Sequence, residues 1–84
     1  MNVRIQFDVA EDQWEEMKTL MDRCGMETRK ELFNNAWALL DWAVRERAQG
    51  NVIASINDRT NKIKELEMPI FRRISSTSNL TKAN

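Results

Sequence analysis

The sequence predicts a mainly helical protein that folds as a dimer, and three observations support this prediction. One short strand pattern, Val3–Val9, precedes two helical patterns, and no further strand pattern occurs before Val52. The second helical pattern carries more apolar side chains than one short neighbouring helix can cover. The chain has 84 residues, a size at which single domains usually gain stability from disulfides, metals or a second subunit.

Composition leaves a second subunit as the remaining source of stability. The chain has one cysteine, Cys24, and no histidine, which excludes intramolecular disulfides and the usual zinc sites. We therefore expect no metal and no cofactor, and we expect Cys24 to be a small buried apolar residue. The sequence has no glycine-rich phosphate loop and no nucleophile beside a base, so we expect no enzyme.

The same composition predicts a cytoplasmic protein. No apolar run approaches the roughly 20 residues that span a membrane, and the first residues lack the apolar core of a signal peptide. A lone thiol suits a reducing compartment. The net charge is +0, yet residues 1–49 are net acidic and residues 50–84 are net basic by the same amount.

The segment Val3–Val9 is predicted to be a half-buried strand. Apolar side chains take its odd positions and polar side chains its even positions, so each kind lies on its own face. A lone strand leaves backbone N–H and C=O groups unpaired along both edges. A second copy of the same strand is the nearest candidate to pair with it.

The first helix is predicted to begin near residue 9 or 11 and to end at residue 24. Asp8 and Glu11 have the spacing of a capping box, which makes Asp8 a candidate helix cap. Apolar residues then recur at steps of three and four. Gly25 follows as a natural left-handed residue after the helix.

The second helix is predicted to cover residues 29–49. Thr28 and Glu31 form a second capping-box pattern directly before an apolar run, and Gly50 followed by Asn51 is a stop signal. A core between two subunits would draw on the apolar residues of the strand and of this helix. The predicted dimer core is Val3, Ile5, Phe7, Leu32, Phe33, Ala36, Trp37 and Leu40.

After Gly50 the pattern changes to a C-terminal β-hairpin. Two strands are predicted at Val52–Ile56 and Lys62–Met68, joined by the turn formers of residues 57–61. We expect residues 51–68 to pack on the rest of the protein, residues 70–84 to form a mobile arm, and the polar tail within it to be disordered. The predicted domains are 1–49, an extension at 50–74, and the disordered tail at 75–84.

The order of a lone strand, a helix ending in glycine, a four-residue turn and a capped second helix resembles the ribbon-helix-helix family, the Arc, MetJ and CopG type of DNA-binding protein. The segments that carry the resemblance are Arg4–Asp8 and Gly25–Ala36. It covers residues 2 to about 47. The resemblance implies an intertwined homodimer in which one strand from each subunit forms an antiparallel ribbon that enters the major groove of double-stranded DNA.

The resemblance also implies which side chains contact DNA. Base readout would come from the outward face of the strand, at Arg4, Gln6 and Asp8. Arginine pairs well with guanine and glutamine with adenine, whereas a carboxylate repels phosphate, so we favour Asp8 as a helix cap over a reader. Phosphate anchoring would come from the start of the second helix, at Thr28, Arg29 and Lys30.

Two functions remain open. The first is a sequence-specific transcriptional regulator, a repressor or autoregulator, whose dimers could assemble further on DNA. The second is an antitoxin-like or DNA-independent protein-interaction module that binds a protein partner through the extension. The acidity of residues 1–49 favours the second function, because net negative charge gives no attraction to DNA phosphate, and the outward cations would then be ordinary solvent-exposed charges. The placement of those cations on the strand and at a helix start favours the first.

Overall fold

The computed structural model describes residues 1–74, and the predicted tail at 75–84 lies outside the described residues. The elements follow in the order helix α1 (Glu11–Cys24), helix α2 (Arg29–Ala48), strand β1 (Ala54–Asn57), strand β2 (Lys62–Glu65) and a short 3-10 helix (Pro69–Arg73). The chain divides into two compact units, Met1–Asn35 and Ala36–Asn84. The prediction of a mainly helical protein with a C-terminal hairpin is confirmed.

Helix α1 begins after Ala10, whose extended backbone (φ −65°, ψ 152°) marks the N-cap. The predicted cap at Asp8 is wrong, since no side chain caps this helix. A cap must stand directly before the first helical residue to reach the free amides, and Asp8 lies too far ahead. Glu11 and Asp12 occupy the first turn instead, where the helix dipole favours negative charge.

A glycine with positive φ follows each helix: Gly25, which was predicted to be left-handed, directly follows α1, and Gly50, which was predicted as a stop signal, lies two residues after Ala48. Gly25 has φ 68° and donates its N–H to the Asp22 carbonyl, while the next N–H reaches back to Met21 at 2.8 Å. Gly50 has φ 89° and makes the equivalent bond to Arg47 at 3.0 Å. This pairing satisfies carbonyls of the last turn that would otherwise lack donors. The predicted ends of both helices are therefore confirmed to within one residue.

The hairpin pairs β1 with β2 in antiparallel register, with Ile56 opposite Ile63. The side-chain oxygen of Asn57 accepts hydrogen bonds from the N–H groups of Arg59 (3.0 Å) and Thr60 (3.3 Å), which fixes the turn. Both strands are shorter than predicted. β1 starts two residues late, and β2 ends at Glu65, three residues before the predicted end at Met68.

The 3-10 helix contains the most buried side chain among the described residues. Phe71 is 3% exposed, and the Arg47 guanidinium of α2 lies 5.4 Å from the centroid of its ring. The expectation that a mobile arm begins at residue 70 is therefore wrong for residues 70–74. The physical reason is that burial of one large aromatic side chain outweighs the conformational freedom of the short segment.

Most other large apolar side chains of the described chain remain exposed. Met21, Ala43 and Phe71 are the buried apolar residues, at 8%, 4% and 3% exposure. Cys24 is exposed, so the expectation that it is buried is wrong; it lies at the end of α1, where nothing folds back over it. The expected apolar cover for the extension is also missing, because only Ile53 is half-buried and the others stay exposed: Val52, Ile56, Leu66 and Met68.

Candidate nucleic-acid interface

The first ten residues belong to no helix or strand of the single chain. Within residues 1–74 no backbone hydrogen bond involves residues 1–8, and Val3, Ile5 and Phe7 are 83%, 65% and 70% exposed. The alternating segment therefore has neither a ladder partner nor apolar cover within one chain. Pairing with a second copy would supply both, and it stays a prediction. The three candidate readers on the even positions are exposed: Arg4, Gln6 and Asp8.

The start of α2 is held by Thr28 and Glu31. Thr28 Oγ1 accepts the N–H of Glu31 at 3.0 Å, which is the bond that the capping box predicts. The Glu31 carboxylate accepts the N–H of Glu27 at 3.1 Å, one residue earlier than a standard capping box. The helix start is therefore pinned from both sides. The N–H groups of Arg29 and Lys30 have no acceptor among the described residues, so two amides at the positive end of the helix dipole remain available.

The Arg29 side chain lies against Trp14 of α1. Its guanidinium carbon is 4.9 Å from the centroid of the indole ring, within the range of a cation–π contact. Lys18 approaches the same ring at 5.9 Å and also pairs with Glu15 at 2.9 Å. The sequence did not predict this contact. No local pattern indicates it, because the two residues belong to different helices.

A guanidinium beside an aromatic ring keeps its hydrogen-bond donors. Arginine carries five N–H donors in one plane, and the ring interacts with the face of that plane, which leaves the edges free for an acceptor. Trp14 thus restricts where the Arg29 group can move without removing its capacity to bind phosphate. The nearby depression of about 500 Å³ is lined by cations and by the carboxylates of Asp22 and Glu27, so its charge does not select an anion.

Lys30 completes the predicted anchoring set at the start of α2. It is exposed, and among the described residues it makes no ion pair, hydrogen bond or ring contact. Arg29 is held by an indole ring, whereas Lys30 keeps the full conformational freedom of its side chain. Binding a phosphate would therefore cost more side-chain entropy at Lys30 than at Arg29.

The predicted dimer core is largely uncovered in the single chain. On α2, Phe33, Trp37 and Leu40 recur at helical spacing and are 47%, 64% and 39% exposed. Leu32 is half-buried and Ala36 is exposed. Isolated exposed apolar residues are common on proteins, whereas a run of them along one helix is what the predicted dimer core requires; their covering by a second chain stays a prediction.

Two further findings concern other kinds of site. No described helix is long and apolar enough to cross a membrane. Within residues 1–74 no cluster of three or more histidine, cysteine, aspartate or glutamate side chains could hold a metal ion. Comparison of the chain with protein-family models, with curated proteins and with solved structures gave no match.

Proposed function

We propose that this protein is a homodimeric, sequence-specific DNA-binding regulator of the ribbon-helix-helix type. One observation carries the proposal: the apolar side chains of Val3, Ile5 and Phe7 are 83%, 65% and 70% exposed in the single chain, on a segment whose backbone has no hydrogen-bond partner among residues 1–74. An antiparallel ribbon with a second copy would pair that backbone and cover those side chains together. The same ribbon would turn Arg4 and Gln6 outward.

In the proposed binding mode, base readout and phosphate binding occur at two separate places. The outward side chains of the ribbon read base edges, Arg4 by two hydrogen bonds to guanine and Gln6 by two to adenine. The start of α2 binds a phosphate through the amides of Arg29 and Lys30 and through their side chains. Asp8, which caps no helix, is left on the reading face, where its carboxylate can accept a hydrogen bond from cytosine.

The test begins with selection of binders from a random pool of duplex DNA, followed by titration of the selected sequence. Arg4→Ala and Gln6→Ala should each relax the preference at one base pair, at a cost of about 1–3 kcal/mol. Lys30→Ala should weaken binding to every sequence and reduce the salt dependence by about one phosphate contact. Thr60→Ala, an exposed change in the hairpin turn, is the matched control. Selection that yields no preferred sequence would contradict the proposal.

The dimer is tested separately by sedimentation at micromolar concentration, where we expect twice the chain mass. The midpoint of thermal unfolding should rise with protein concentration, because association stabilises only the folded chain. Trp37→Ala should shift the equilibrium toward monomer, since its indole is 64% exposed in one chain. Glu16→Ala on α1 is the exposed control. A folded monomer whose midpoint is independent of concentration would overturn the architecture.

A protein-interaction module is the second candidate, and one observation favours it. The extension exposes most of its large apolar side chains, among them Val52 (56%), Ile63 (70%) and Ile70 (40%). A protein partner could cover them without any DNA. This function predicts that the chain shows no sequence preference in the selection and that a partner protects the N–H of Leu66, which donates to Ile53 in the free chain.

A further inference from the structure

The β1–β2 hairpin has two faces of different chemistry. Side chains alternate along each strand, and residues directly opposite each other share a face. The register therefore places the Ile56–Ile63 pair on one face, together with Ala54 and Glu65. The other face, which we name the cationic face, consists of Ser55, Asn57, Lys62 and Lys64.

Contacts within the second unit fix which way the cationic face points. The Glu65 carboxylate lies 4.0 Å from the Arg47 guanidinium of α2, so the face with Glu65 is the one from which a side chain reaches Arg47, while Ile56 and Ile63 on the same face stay 68% and 70% exposed. Lys64 precedes Glu65 and takes the opposite face. The two lysines are consequently presented on the side of the hairpin away from Arg47.

The charge of the cationic face is not neutralised within the described chain. Lys62 and Lys64 are exposed, and no carboxylate among residues 1–74 pairs with either of them. The other two side chains of the face are uncharged, and the nearest carboxylate along β2 is engaged with Arg47. Asp58 and Arg59 in the turn add no net charge. Two like charges on one strand contribute no attraction to the fold, and both remain accessible to an external anion.

The spacing of the two lysines suits a polyanion with a regular repeat. Residues two apart on a strand are separated by about 6.6–6.8 Å. Each strand of B-DNA carries one phosphate per about 3.4 Å of axial rise, so two flexible lysine side chains at this separation can reach neighbouring phosphates. The hairpin also holds the lysines in place, because Asn57 fixes the turn through its hydrogen bonds to Arg59 and Thr60.

We propose that the cationic face binds the phosphate backbone of double-stranded DNA without preference for sequence. The inference rests on the proposed function for the identity of the ligand, but its site shares no residue with Arg4, Gln6 or the start of α2. It also accounts for the split of charge along the chain: the acidic first part reads bases, and the basic extension supplies attraction to the backbone.

The test measures binding of the full chain to a 30-base-pair duplex of random sequence across a range of salt concentrations, a length chosen as roughly three helical turns. Lys62→Ala/Lys64→Ala should lower the slope of log K against log salt by about 1.8 for each hairpin that binds. The affinity near 0.1 M salt should fall on the order of ten- to a hundredfold. Unchanged circular dichroism would show that the exposed substitutions leave the fold intact.

Two matched variants separate the site from bulk charge. Lys62→Arg/Lys64→Arg keeps the charge and should keep the slope. Arg23→Ala/Arg45→Ala removes the same charge from the exposed surfaces of α1 and α2 and should leave the slope nearly unchanged. A wild-type slope in the lysine double variant, or an equal loss in the arginine double variant, would overturn the proposal. So would a lysine variant that keeps its DNA slope but loses binding to an oligo-glutamate peptide, because the face would then fit an acidic protein.

The two sets of variants distinguish failure of the cationic face from failure of the proposed function. If the lysine variant loses slope while Arg4→Ala/Gln6→Ala changes nothing on any duplex, the cationic face binds DNA and the reading ribbon is wrong. If the readout variant relaxes specificity while the lysine variant behaves as wild type, the reading ribbon stands and the cationic face is wrong. A wild-type chain that binds no duplex contradicts both.

Discussion

The Arg29 guanidinium lies 4.9 Å from the centroid of the Trp14 ring. The first residue of α2 is therefore tied to α1 through an indole side chain as well as through the short connection between the helices. Within residues 1–35 this contact joins the two elements that bracket the proposed phosphate anchor. It makes the position of one anchoring side chain depend on a residue that would not itself touch DNA.

The Trp14–Arg29 contact predicts a measurable coupling. A double-mutant cycle of Trp14→Leu with Arg29→Ala should give an interaction energy of about 0.5–1 kcal/mol, the range for exposed cation–π pairs. Denaturant unfolding at fixed protein concentration measures it. The same cycle with Lys30→Ala is the control and should show no coupling, because Lys30 has no ring contact. Equal coupling in both cycles would mean that the effect is general to the helix start.

Thr28→Ala should destabilise the protein by about 1 kcal/mol, because the Glu31 N–H would lose the acceptor that it now has at 3.0 Å. Thr28→Ser should retain most of the stability, since serine is an equally good cap. Thr60→Ala serves as the control for loss of a threonine side chain at an exposed site. Urea titration of the three variants is the measurement, and equal midpoints for Thr28→Ala and Thr60→Ala would contradict the role of the cap.

Gly25→Ala should cost about 1–2 kcal/mol through the backbone alone. A Cβ at this position would meet no atom within 4 Å, but the residue has φ 68°, a conformation that most L side chains disfavour. Gly25→Asn should cost less, because asparagine tolerates the left-handed region. Thermal unfolding at one protein concentration compares the variants. An alanine variant as stable as the wild type would show that the turn can adopt another conformation.

Phe71→Ala should destabilise the second unit strongly, by about 3–5 kcal/mol, as for other large aromatic truncations in a core. The side chain is 3% exposed, whereas its neighbour Ile70 is 40% exposed and provides the matched control. If Phe71→Ala does not fold, Phe71→Leu gives a smaller loss in the same direction. Amide exchange at the N–H of Leu66, which bonds to Ile53 at 2.7 Å, should accelerate in the Phe71 variants and stay slow in Ile70→Ala. Unchanged exchange would mean that Phe71 does not hold the hairpin.

The sequence predicted both helices well because their ends depend on local signals. Thr28 caps α2 by a bond to a residue three positions ahead, and Gly25 ends α1 through its own backbone. The same reasoning failed at Asp8, where the spacing of a capping box was present but the helix began after Ala10. The spacing of a capping box does not by itself determine which residue is the first helical one. Where such a spacing overlaps a strand pattern, the helix can begin directly after the candidate cap or a few residues later.

The contacts that were missed join residues distant in the sequence. The Arg47–Phe71 contact depends on how the chain returns to α2 after the hairpin, and the Trp14–Arg29 contact depends on the angle between two helices. Neither leaves a periodic signal, and the segment around Phe71 is too short to show one. The reading ribbon and the phosphate anchor require a second chain and DNA, so Arg4, Gln6 and Lys30 remain predicted contacts.

The three tryptophans lie in different surroundings, so intrinsic tryptophan fluorescence can distinguish between parts of the chain. The sequence has no tyrosine, so ultraviolet emission comes from the indoles alone. Trp14 is half-buried beside two cations, whereas Trp37 and Trp42 are 64% and 49% exposed. An indole that leaves water emits at shorter wavelength. Variants that keep a single tryptophan would therefore report the Trp14 environment, and the burial of Trp37 or Trp42 on α2 by a second chain, as separate shifts of the emission maximum, without any added label.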